Sequence, residues 1–139
     1  MRSLAKAVGF ITSAVLVLPL TACGGQVISA GDVTVLVSER PNGGMDALGG
    51  GVLEVVGGCL GASGSVIVWP HGTDVVQDDP LTIDIPDYGT FALGDEVQVG
   101  GGYVLDHSET SDDVEPGDYL VGGVNVPAEC AKHDIFLAR

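Results

Sequence analysis

The residues of this chain with the most chemistry to offer are three histidines, His71, His107 and His133, and nineteen carboxylates. No two histidines stand in His-x-His or His-Glu-x-x-His spacing, so no zinc site is legible. Residues 106–115, Asp-His-Ser-Glu-Thr-Ser-Asp-Asp-Val-Glu, are rich in oxygen donors. Calcium takes six to eight such ligands, but the Asp-x-Asp-x-Asp-Gly order of an EF-hand loop is missing. A solvated acidic loop is the expectation there, with calcium binding as the alternative. Ser63 lies in Gly61-Ala62-Ser63-Gly64, which is not a Gly-x-Ser-x-Gly nucleophile elbow. With no phosphate loop and so many interchangeable carboxylates, no catalytic residue, cofactor or metal is assigned. Trp69 and His71 flank Pro70 at the end of an apolar run. They form the candidate binding patch, against the common alternative of a core tryptophan.

Residues 1–22 have the layout of a secretory signal. Arg2 and Lys6 precede an apolar stretch over residues 7–20, and small residues lead to Cys23. The stretch is shorter than the roughly 20 residues of a spanning helix. Leu20-Thr21-Ala22-Cys23 resembles the lipobox of bacterial lipoproteins. That resemblance implies cleavage before Cys23 and acylation of its sulfur and amine. Several acyl chains on one residue suffice for stable membrane attachment. It also implies a place on the extracytoplasmic face of a cell membrane. In a double-membrane cell, Gly24 after the cysteine favours the outer membrane.

Outside residues 1–22 only Arg40, Lys132 and Arg139 are basic, while all nineteen acidic residues remain, for a formal charge of −16. Such a domain repels nucleic acid and anionic headgroups. The partners expected are the membrane, through the N-terminal lipid, and another protein.

With Cys23 lipidated, Cys59 and Cys130 form an even pair outside the cytoplasm, which reads as a disulfide. Closing so long a loop contributes on the order of 4 kcal/mol in the chain-entropy model.

The elements that must position these residues are strands. Valine recurs in short runs bounded by Gly, Pro, Asp and Asn, and long helix-forming stretches are missing. Strands are expected over residues 32–38, 51–56, 65–69, 81–85, 90–93, 96–105, 118–126 and 134–138. Residues 71–80 read as a polar loop, 106–117 as an acidic loop, and 127–131 as one helical turn. Gly57-Gly58 and Ala62-Ser63-Gly64 mark turns. The glycines at 100–102 suggest a sharp bend, and Gly122-Gly123 a kink within a strand. In residues 65–69, Ile67 and Trp69 share one face and Val66 and Val68 the other. If both faces are covered, residues 32–38 are the expected cover.

The division is therefore residues 1–22 as signal, 23–31 as lipidated cysteine and tether, and 32–139 as one all-β domain. The expected fold is a small closed or partly open β-barrel, OB-like, with one disulfide; a two-sheet sandwich is the alternative. Segments 51–61, 66–73, 93–102 and 126–130 resemble those of small secreted bacterial domains without assigned activity, which again implies a compact barrel. The functional expectation is a lipid-anchored, non-enzymatic binding or structural module. A calcium-binding accessory domain and a small hydrolase are the alternatives.

Overall fold

Short valine-rich runs separated by glycine turns leave the chain few choices but extended strands paired by tight hairpins. The computed structural model describes residues 24–41, 43–108 and 119–139. The signal segment, Cys23 and the greater part of the acidic loop lie outside the described residues.

The chain is all-β, with a single helical turn among the described residues. The principal sheet contains β1 (Gln26–Ala30), β2 (Val33–Val37), β3 (Ala47–Val56), β4 (Cys59–Ala62) and β5 (Ser65–Trp69), together with β9 (Glu96–Leu105) and β12 (Ile135–Ala138). Its pairing is ring-like. From β2 it passes through β4, β3, β9, β12 and β5, and β5 pairs back onto β2. The β2–β5 and β5–β12 ladders are parallel, whereas the β4–β3, β3–β9 and β9–β12 ladders are antiparallel. β1 lies outside the ring, antiparallel to β2, with Gln26 opposite Val37.

Two apolar clusters follow from the alternation of side chains along these strands. Val35, Val37, Leu53, Leu60, Ile67, Trp69, Val97, Val99 and Phe136 turn to one face and form the first. A separate three-stranded sheet of β6 (Asp74–Asp78), β7 (Leu81–Ile85) and β8 (Gly89–Ala92) contributes Leu81, Ile83 and Ile85 to that cluster. Leu36, Val66, Val68, Ile135 and Leu137 turn to the other face. They are covered by the hairpin of β10 (Tyr119–Val121) and β11 (Val124–Val126) and by α1 (Ala128–Ala131). The strands in parallel ladders are thus buried on both faces, as parallel strands require.

The Cys59–Cys130 disulfide is present, with Cα atoms 5.9 Å apart and 71 positions of sequence between the partners. It joins the start of β4 to α1, the turn that leads into β12.

Several expectations need correction. Residues 24–31 were expected to be a tether, yet they contain β1, because Ile28 and Ala30 pack onto the first cluster. The polar loop 71–80 contains β6, an edge strand that needs only Val75 against the core and can therefore be otherwise polar. Residues 118–126 are not one kinked strand. Gly122 and Gly123 both have positive φ, at 56° and 75°, so they form a two-residue hairpin turn between β10 and β11. The cover over Val66 and Val68 is not residues 32–38, which pair beside β5 within the sheet.

At residues 100–102, where a sharp bend is expected, β9 runs on as one strand and changes partners. β9 pairs with β3 up to Gly101 and with β12 from Gly101 onward, so one residue faces a neighbour on each side.

Candidate functional site

Parallel pairing brings the carboxyl ends of β2, β5 and β12 to one rim of the ring. Val37 is opposite Trp69, and Val68 is opposite Leu137. The residues that follow these strands, Ser38-Glu39-Arg40, Pro70-His71 and Arg139, therefore meet although they are far apart in sequence. The Ser38 N–H donates to the Trp69 carbonyl at 2.9 Å, and the Arg139 N–H to the Gly100 carbonyl at 2.9 Å. His71 Nδ1 lies 3.3 Å from the Ser38 carbonyl oxygen. The turn between β7 and β8 reaches the same rim. Tyr88 Oη donates to the Arg139 carbonyl at 3.0 Å and accepts the Gly100 N–H at 3.0 Å.

Among the described residues Pro41 and Arg139 stand in the wall of three hollows; one runs along residues 43–48, and the other two open on this rim. The first rim hollow, of about 250 Å³, is lined by Ser38, Arg40, Leu137 and Arg139, with Glu39 beside them. The other, of about 440 Å³, is lined by Pro70, His71, Pro86 and Tyr88, with Asp87 at its edge. Nε and Nη1 of Arg139 are both buried without a hydrogen-bond acceptor. Unsatisfied donors of this kind are uncommon, because a buried donor without a partner forfeits its hydration. Among the described residues the ion pair is Lys132 with Glu129 at 3.1 Å, and neither Arg40 nor Arg139 enters one.

The two halves of the expected Trp69–His71 patch separate. Trp69 is 0 % exposed, points into the first cluster, and donates from Nε1 to the Leu60 carbonyl at 3.3 Å. It forms no part of a surface patch, since both faces of β5 are covered through its last position. His71, two residues on, is past the strand end and exposed. Arg40 and Arg139 are the site residues that sequence reasoning missed. The scarcity of basic residues was the available signal, since two of only three such residues outside residues 1–22 stand here.

The other candidates lie elsewhere. His107 Nε2 is 3.1 Å from the Ala131 carbonyl oxygen, and the His107 N–H donates to Asp134 Oδ1 at 2.8 Å. Asp106 Oδ1 accepts from both the N–H and the hydroxyl of Ser108. The remainder of the oxygen-rich loop, residues 109–117, lies outside the described residues. His133 packs by Gly57. Ser63 occupies the β4–β5 turn with φ of 51°. Among the described residues no three His, Cys, Asp or Glu side chains converge as metal ligands do. Among them, too, no helix is long and apolar enough to cross a membrane.

What the rim offers chemically is recognition: a guanidinium with spare donors, an imidazole, a phenol and proline walls. No protein-family model, curated protein or solved structure matches this chain.

Proposed function

We propose that this protein is a lipid-anchored, extracytoplasmic, non-enzymatic binding module. Its principal sheet acts as a small barrel, and its binding face is the rim where β2, β5 and β12 end. The barrel reading is supported by the β5–β2 pairing that returns the sheet to its first ring strand. The anchor rests on the lipobox-like Leu20–Cys23 run behind an apolar stretch of signal length. The non-enzymatic reading rests on the missing nucleophile and metal motifs. One observation carries the binding face: Arg139, with two buried donors lacking acceptors, stands in the wall of both rim hollows.

The anchor is tested by mass spectrometry of the membrane fraction. The expected N-terminus is Cys23 bearing acyl chains; an intact Met1 or an unmodified Cys23 would refute it. The binding face is tested by photo-crosslinking in native membranes. A benzophenone amino acid at position 71 is expected to capture a ligand or partner. The same probe at exposed Val76, on the other sheet, is expected to capture none. Equal labelling from both positions would count against the rim as the binding face.

A further inference from the structure

Resting on the binding reading above, we infer that the rim takes a carboxylate, held by Arg139 and Arg40, with the body of the ligand extending over Pro41 toward His71 and Tyr88. The domain is strongly anionic, yet two of its three basic residues border one hollow. A cation in an acidic protein ordinarily finds a carboxylate nearby, as Lys132 does with Glu129. Among the described residues Arg139 has found none, and its Nε, which shares with Nη2 the guanidinium edge that meets a carboxylate side-on through two parallel N–H bonds, is without an acceptor.

Glu39 stands in the wall of the same hollow, but its side chain lies against Gly123. The Arg139 backbone is fixed to Gly100 and to Tyr88 Oη, so the side chain has a rigid base from which to turn its fork toward a bound anion. A monoanion suits the site better than a phosphate, because repulsion from the surrounding −16 field grows with ligand charge. The adjoining hollow offers Pro70, Pro86 and the ring of Tyr88, surfaces suited to an apolar or peptide-like body rather than to a second charge. The carboxylate comes from either a peptide end or a small organic acid.

The test is an NMR titration of the full chain in neutral detergent micelles. N-acetylglycine is compared with N-acetylglycinamide, acetate and inorganic phosphate. N-acetylglycine is expected to give saturable shifts at the Glu39, His71, Gly100 and Arg139 amides, and the carboxamide to bind about tenfold more weakly. Arg139→Gln is expected to lose about tenfold in affinity for the acid, and Arg139→Lys, which keeps charge without the fork, to fall between. An unmoved Trp69 indole N–H resonance shows that the variants are folded. If Arg139→Gln does not fold, Arg40→Gln is read the same way. Acetate binding as well as N-acetylglycine would identify a small acid as sufficient; weaker acetate binding points to a peptide end. Equal binding of acid and amide, or tighter binding of phosphate, overturns the carboxylate assignment and leaves the binding face standing. No response to any probe also overturns it, and the crosslinking from position 71 then decides on the face itself.

Discussion

Replacing Cys59 and Cys130 together with alanine is expected to lower the stability of this domain by about 4 kcal/mol. The partners are 71 positions apart, so the bond removes a large loop from the unfolded ensemble. It also holds an element that has little of its own to hold it. α1 is four residues long, and its N-cap, Pro127, makes no side-chain cap bond. One turn of helix does not persist on hydrogen bonding alone. It stays in place because Cys130 and Ala131 pack into the second cluster and Cys130 is tied to β4. Since small domains have total stabilities of about 5–15 kcal/mol, the double variant should melt on the order of 20 °C lower. Thermal or urea unfolding of oxidised wild type, reduced wild type and the double variant measures this. A loss under about 1 kcal/mol would mean that packing alone secures α1 and that the chain-entropy estimate does not apply here.

Gly101→Val is expected to be equally severe, again about 4 kcal/mol, for a different reason. Gly101 has φ of 151°, a conformation that L residues with a branched side chain scarcely adopt. A Cβ there would fall onto the carbonyl oxygen of Leu137, which is backbone and cannot swing aside. β9 is also paired at this residue with Ala47 of β3 and with Ala138 of β12, so any shift disturbs two ladders at once. Gly100→Ala is the matched control. A Cβ at that position meets only Tyr88 Oη, at an ordinary 3.5 Å, and a change within about 0.5 kcal/mol is expected. Chemical denaturation of both variants separates the two cases. Equal stability of Gly101→Val and Gly100→Ala would show that the sheet relaxes freely at the transfer point.

Strands whose alternation spans a clear inside and outside were legible in the sequence, residues 81–85 and 96–105 above all. Local patterning failed where a neighbour decides the outcome. β6 looks polar because a single valine, Val75, suffices when one face of an edge strand meets solvent. Gly122-Gly123 was ambiguous because a glycine pair serves a kink within a strand and a hairpin turn equally well; the two positive φ angles distinguish them. The cysteine pair was legible because parity and compartment are properties of the whole chain. The rim was not. Its members come from residues 38–40, 70–71, 88 and 139, and only the parallel pairing of β2, β5 and β12 makes them neighbours. Trp69 is inside because both faces of β5 are covered, and nothing local to β5 announces that β10, β11 and α1 cover Val66 and Val68 while the first cluster covers Trp69.

The pairing of β1 with β2 also carries an orientation. Gln26 lies opposite Val37, and the Gly25 N–H donates to the Gly123 carbonyl at 3.2 Å, so the chain is already fastened to the domain at that point. That point belongs to the same rim as Ser38, Pro70 and Arg139. Between Gly25 and an acylated Cys23 there is at most about 7 Å of extended chain. In the anchored protein proposed above, the short leash would turn the two hollows toward the bilayer and hold them within its interfacial layer. A bulky soluble partner would have no room to approach. A thin ligand that itself rises from the membrane surface would meet the site edge-on.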